Sequence, residues 1–143
     1  MRWAKQNGLP EVAICEDDIL FTSLRSWDYF LEHKPEDYDL YLGNYYSGVL
    51  MPDNTLYGFT GFTLYFVNHR YYDTFLETPA NKNIDAAQRG RGKFVACQPE
   101  VARQRSGYSF HRKKIVNDDH YLKGHIFLTD SGLPEPFHLP PSP

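Results

Sequence analysis

Glu11-Val12-Ala13-Ile14-Cys15-Glu16-Asp17-Asp18-Ile19-Leu20-Phe21 decides how the rest of the chain is read. The apolar run over residues 12–15 predicts a buried strand, and three carboxylates crowd its carboxyl end. Two unit charges about 4 Å apart repel by roughly 4 kcal/mol at an effective dielectric of about 20. Such a cluster therefore calls for a cation or for full solvation. Hard oxygen ligands suit Mg²⁺, Mn²⁺ or Ca²⁺, and open α/β sheets bind ligands at the carboxyl ends of their strands. The plainer alternative is a solvated acidic turn opening the next helix, where Asp favours the positive end of the helix dipole. The triplet by itself leaves both open.

The chain of 143 residues is long enough for one core. Its hydrophobic share of 41% is ordinary, but 16% aromatic is high. Rings at helical or alternating spacing belong in a core, and the remainder can form a sugar- or base-stacking surface. A net charge of −3 points to no partner, whereas the distribution of charge is uneven. Residues 11–39 carry nine acids against Arg25 and Lys34, and residues 89–114 carry eight basic residues against Glu100 alone. A basic block of this kind meets phosphates, nucleic acid or the acidic half of its own protein, or it is a solvated face. Cys15 and Cys97 each lie in an apolar run and read as buried, reduced thiols. No apolar segment has the length of a membrane span, and residues 1–5 lead into no signal region. The expectation is a soluble cytoplasmic protein.

Residues 1–6 read as a helix end stopped at Gly8, with Pro10 closing the turn. Beyond the triplet, Phe21, Leu24, Trp27, Phe30 and Leu31 recur at helical spacing, with Thr22 or Ser23 as the cap and Pro35 as the stop. Residues 38–43 predict a second strand, 44–57 a loop or loose hairpin, and 59–67 a third strand. Asn68 caps a helix ended by Pro79, residues 83–88 open a short helix, and 93–97 form a fourth strand. Residues 104–109 read as irregular, 118–122 as a helical turn and 126–128 as a short strand. The domain covers residues 1–132, and the proline-rich tail, 133–143, is an extended arm or disordered. Strands alternating with helices predict an α/β fold with a mixed sheet.

An acidic triplet after a strand also opens receiver domains of response regulators. Here the phosphoryl-acceptor position holds Asn44, and residues 19–37 have room for one helix where a receiver needs helix, strand and helix. A different resemblance covers most of the chain. Ala13-Ile14-Cys15-Glu16-Asp17-Asp18-Ile19 resembles the strand and acidic motif of the family 25 glycosyltransferases, which include lipopolysaccharide and collagen galactosyltransferases. Asp39-Leu40-Tyr41-Leu42-Gly43 is similar to that family's next strand, and Gly61-Phe62-Thr63-Leu64-Tyr65-Phe66-Val67 to its strand–helix unit. Asn83-Ile84-Asp85 resembles its Ile-Asp before a short helix. Pro99-Glu100-Val101-Ala102-Arg103-Gln104 with Gly107-Tyr108-Ser109 resembles its Pro-x-x-x-x-Gln and Gly-x-Ser segment.

The resemblance implies an A-type glycosyltransferase fold and a role in lipopolysaccharide-type glycan synthesis. Sugar would pass from a nucleotide-sugar donor to a glycan or other hydroxyl acceptor, with Mn²⁺ or Mg²⁺ as cofactor. In that pattern Glu16 and Asp18 are the metal-contacting pair, and Asp17 between them belongs with the donor-binding residues. Asp85 is the catalytic residue, as acceptor-hydroxyl base, with a plain helix cap as its structural alternative. Gln104 and Ser109 match positions of that motif as donor-binding residues, with a merely structural role as the alternative, and Arg103 and Arg105, with Arg89 and Arg91, are the candidates to hold the diphosphate as paired phosphate ligands. In an A-type enzyme the nucleotide-binding strands precede the acidic motif, yet only residues 1–10 precede this strand. The expectation is a domain truncated at its N-terminus, or a reduced homologue that borrows a surface by forming a homo-oligomer.

Two rival readings follow from the residues. One is a degenerate, non-catalytic module that binds a glycan or protein through Tyr45, Tyr46 and Tyr57. The other is a metal-dependent nuclease or nucleic-acid binder resting on the basic block, although no nucleic-acid partner is expected. His120 and His125, near Asp118 and Asp119, form the one further cluster to test as metal ligands, with surface histidines as the alternative.

Overall fold

The computed structural model describes residues 1–110 and 112–139. A four-stranded mixed sheet in the order β1-β6-β3-β7 organises the chain. Its members are β1 (Glu11–Cys15), β3 (Leu40–Leu42), β6 (Leu64–Asn68) and β7 (Phe94–Ala96). β6 runs antiparallel to both neighbours, while β3 and β7 are parallel. The α/β expectation holds in that coarse form.

Alternation explains the two cores. On β3, β6 and β7, Leu40, Leu42, Tyr65, Val67, Phe94 and Ala96 point to one face, where they meet Phe59, Phe62, Tyr71 and Tyr72. Tyr41, Leu64, Phe66 and Val95 point to the other and meet Phe30, Val101, Ala102 and Leu128. Successive side chains of a strand face opposite ways, so three strands apolar on both sides must be covered on both sides. Phe30 is fully buried and stacks on Tyr41 with centroids 4.5 Å apart. Truncating such a ring to Ala typically costs about 3–5 kcal/mol.

Several expectations need correction. β1 is an edge strand, not a buried central one: Ala13 and Cys15 are exposed, because only β6 pairs with it. Cys15 is therefore an exposed thiol, while Cys97 is buried and its thiol is pushed up to about 12, chiefly by burial. Residues 19–21 do not enter the helix. They form β2 (Ile19–Phe21), paired antiparallel with β8 (Ala102–Gln104). Ser23 and Ser26 then exchange turn bonds, Ser23 N–H to Ser26 Oγ at 3.0 Å and Ser26 N–H to the Ser23 carbonyl at 3.1 Å, and Arg25 N–H donates to Ser23 Oγ at 3.1 Å. α2 starts only at Ser26 and spans Ser26–Glu32. Leu24, placed on a helical stripe by its spacing, is 96% exposed.

The single strand expected over 59–67 is two. β4 (Ser47–Leu50) and β5 (Leu56–Thr60) make the hairpin, and the chain breaks at Gly61 before β6. Gly61 has φ +65°, and a Cβ there would stand 2.1 Å from the Tyr46 ring, so both the backbone sign and the space exclude a side chain. The short helices follow their signals. α1 is Arg2–Gln6, α3 is Tyr72–Leu76 and α4 is Ile84–Gln88. Asn68 Oδ1 accepts the Arg70 N–H, capping the 3₁₀ turn His69–Tyr71 that leads into α3.

The segment expected to be irregular is ordered as well. β9 (Gly107–Ser109) and β10 (Lys114–Val116) form a ribbon, followed by a 3₁₀ turn at Asp119–Leu122. β11 (Ile126–Leu128) pairs with β12 (Pro134–Pro136), so the start of the tail is an extended strand laid on the body. Residues 140–143 of the tail lie outside the described residues. Among the described residues no helix is long and apolar enough to cross a membrane.

Candidate functional site

The acidic turn links β1 to β2. Glu16 N–H donates to the Thr63 carbonyl at 2.8 Å, which holds the turn against the start of β6. The β2–β8 pairing sets Ile19 opposite Gln104 and brings Gln104 beside Asp18. Gln104 Nε2 donates to Asp18 Oδ2 at 2.6 Å, and Tyr46 Oη donates to Gln104 Oε1 at 2.6 Å. Arg105 N–H adds a bond to the Asp18 carbonyl at 2.7 Å. A three-residue strand pairing thus positions both the acid and the amide that orients it.

These groups border a cleft of about 740 Å³. Glu16, Tyr46, Tyr65, Asp85, Gln104, Arg112 and Tyr121 are among the side chains that line it. Tyr46 and Tyr121 stack with centroids 5.8 Å apart. The cleft is rich in acid. Glu16 is pushed up to about 7, first by desolvation in the cleft and then by repulsion from Asp18, Asp17 and Asp85. Tyr46 is raised by burial and by Asp118, Asp18, Glu16 and Asp119. Asp18 Oδ1 is buried and has no hydrogen-bond partner among the described residues. A buried carboxylate oxygen without a donor is costly, and its usual remedy is a bound cation or water.

Asp85 is engaged on both oxygens. Oδ2 accepts the Gly61 N–H at 2.8 Å and Oδ1 the Ala86 N–H at 2.7 Å. It lines the cleft and also fixes the first turn of α4 to the glycine break. Ser109 Oγ accepts the Arg112 N–H at 3.1 Å, a turn contact within the β9–β10 ribbon. Three of the four arginines singled out in the sequence are occupied elsewhere, and the fourth, Arg105, is exposed and does not line the cleft. Arg103 pairs with Asp119 at 3.3 Å, Arg91 with Glu77 at 2.5 Å, and Arg89 Nε donates to the Phe59 carbonyl at 3.1 Å. The cationic side chain that lines the cleft is Arg112, held by Asp118 at 3.0 Å. Its place in the basic block was visible in the sequence; the ribbon that carries it into the cleft was not.

Among the described residues no three His, Cys, Asp or Glu side chains form a group arranged to hold a metal ion. The cluster of His120 and His125 with Asp118 and Asp119 does not assemble. The two acids pair with arginines, and His125 Nδ1 lies 2.5 Å from Glu100 Oε2. Glu100 is fully buried, and its Oε1 accepts the Tyr45 N–H at 2.9 Å. Burial raises its carboxyl. His125 is raised above its ordinary value: burial opposes this, but the Glu100 carboxylate and the Tyr46 carbonyl favour the charged ring. This pair anchors the loop that delivers Tyr46 to the cleft. Asn44, at the receiver-like acceptor position, is a buried hub whose Oδ1 accepts Thr63 N–H, Thr63 Oγ1 and Leu64 N–H at 2.9, 3.0 and 3.2 Å.

No protein-family model, curated protein or solved structure matches the chain.

Proposed function

We propose that the cleft binds a divalent cation together with the diphosphate of a nucleotide sugar, in a glycosyltransferase-like protein that transfers the sugar to a glycan or other hydroxyl acceptor. The observation that carries this reading is the pairing of Asp18 Oδ1, buried without a partner among the described residues, with Glu16, raised to about 7 among three other acids. Both groups gain from a cation. Glu16 and Asp18 would hold it, with water and ligand oxygens completing a hard-oxygen shell. Bound there, a divalent ion supplies charge stabilisation to a departing diphosphate.

The chain's own residues cover the other requirements. Gln104 keeps Asp18 in place and is itself held by the Tyr46 hydroxyl. Arg112 spends one nitrogen on Asp118, and a guanidinium carries five N–H donors, so its fork has donors left for phosphate oxygens. Tyr46 and Tyr121 offer ring faces to a sugar. Asp85, which lines the same cleft as Glu16, is the acid that would take a proton from an acceptor hydroxyl, once that hydroxyl replaces one of its backbone N–H donors.

Titration calorimetry with uridine diphosphate, with Mn²⁺ and then with a chelator, tests the reading. Binding should require the metal and should be lost in Asp18→Asn. Metal-independent binding that ignores this substitution overturns it. The same stacked tyrosines support the second reading, a non-catalytic glycan-binding module. In that case oligosaccharide binds without metal or nucleotide, and Tyr46→Ala abolishes it while Asp18→Asn does not.

A further inference from the structure

The β9–β10 ribbon turns its apolar side to water. Tyr108 pairs with Ile115 across the ribbon, which puts both on one face, and Phe110 packs edge-to-face on Tyr108 at 5.2 Å. Tyr108 is 57% exposed, Ile115 80% and Phe110 87%. None of the three belongs to either core. A ribbon normally lays such a face on the body, and contiguous exposed apolar side chains mark a contact surface. The charge around it is one-sided. Residues 101–117 contain Arg103, Arg105, Arg112, Lys113 and Lys114 and no acid. Asp119 and Asp118 neutralise Arg103 and Arg112. Arg105, Lys113 and Lys114 are exposed and make no ion pair among the described residues.

We propose that this ribbon is a docking surface for an anionic lipid bilayer, with Tyr108, Phe110 and Ile115 entering the headgroup region, and with Lys113, Arg105 and, from the ribbon's other face, the long side chain of Lys114 pairing with lipid phosphates and carboxylates. The chemistry of the patch selects this occupant. Aromatic rings with an aliphatic neighbour settle at a membrane–water interface, and nearby cations draw them to anionic leaflets. A second copy of the chain is disfavoured because two such ribbons bring like charges together. Single-stranded nucleic acid is bound in basic grooves with rings as stacking platforms. Here Ile115, which has no π-face, is one of the most exposed members of the patch. Arg112 joins the ribbon to the cleft, since its N–H is tied to Ser109 and its side chain lines the cavity. Docking would set the cleft mouth beside the headgroups. The proposal stands apart from any reading of the cleft's chemistry.

Co-sedimentation of the full chain with phosphatidylcholine vesicles, plain or doped with phosphatidylserine, tests it. Partition should appear only with the anionic vesicles. Lys113→Gln with Lys114→Gln should weaken it about thirtyfold, the effect of removing two surface cations. Phe110→Ser with Ile115→Ser should weaken it about tenfold at unchanged charge, because buried apolar area contributes alongside electrostatics. Both double variants should keep the wild-type melting temperature, since the altered side chains lie outside the cores. Absence of partition overturns the proposal. So does vesicle binding that ignores Phe110→Ser with Ile115→Ser, or tighter binding to oligouridylate than to anionic vesicles.

Discussion

Glu16 and Glu100 are two glutamates in opposite circumstances. Glu100 has no exposed surface, yet the chain supplies its partners: His125 on one oxygen and the Tyr45 N–H on the other. Glu16 is open to solvent on the lip of a cleft, and its near neighbours are acids. Both carboxyls are raised, in each case first by desolvation. At Glu100 the desolvation is answered from within the fold, whereas at Glu16 repulsion from Asp18, Asp17 and Asp85 adds to it, beside an Asp18 oxygen with no partner among the described residues. An acid whose partners are built in holds the fold together. An acid lacking them is where something from outside can bind.

The sharpest way to break this contrast is Glu100→Ala. It leaves the Tyr45 N–H and His125 unpaired in the interior, and removing one partner of a buried pair costs about 3–5 kcal/mol. Urea unfolding reads the loss, and a change below about 1 kcal/mol would deny Glu100 its structural role. Next in size is the metal response. A ligand at 100 times its dissociation constant adds about 2.7 kcal/mol. Mn²⁺ should therefore raise the melting temperature of the wild type and of His125→Gln, but not of Asp18→Asn. A rise that survives Asp18→Asn places the ion elsewhere. Gln104→Ala should cost about 1 kcal/mol in the same urea assay, the usual net worth of a hydrogen bond. It should also weaken the Mn²⁺ response, because Asp18 loses its orienting amide.

The smallest effects are in pH, and their sign is fixed. Glu16 rises from 4.5 to about 7 on folding, so its contribution is present in full below 4.5 and is lost as pH climbs through about 7. Metal-free protein should lose stability across that window, and Glu16→Gln or added Mn²⁺ should flatten the curve. The raised His125 behaves alike in direction: its contribution is full below 6.5 and fades as pH rises through its higher folded value. Mn²⁺ should leave that component untouched, and His125→Gln should remove it. Melting curves across pH, with and without metal, separate the two.

Local pattern was enough for part of this molecule. The two-sided apolar runs of β3, β6 and β7 require cover on both faces, and the Asn68 cap and the short helix at Ile84–Gln88 were legible from neighbouring residues. So was the acidic character of the turn at Glu16. Tertiary structure decided the rest, because the forces involved join distant residues. The spacing of Phe21 and Leu24 fits a helix, but backbone pairing of β2 with β8 claims residues 19–21 and leaves Leu24 in water. Val12 to Cys15 reads as buried until the sheet order puts β1 on an edge. Glu100 finds His125 25 positions away, Gln104 reaches Asp18 across 86, and the β9–β10 ribbon carries Arg112 to the cleft in place of the arginines the pattern favoured. Charge pattern shows which groups need partners; only the folded chain shows which of them it has satisfied, since pairing depends on distance in space and not on spacing in sequence.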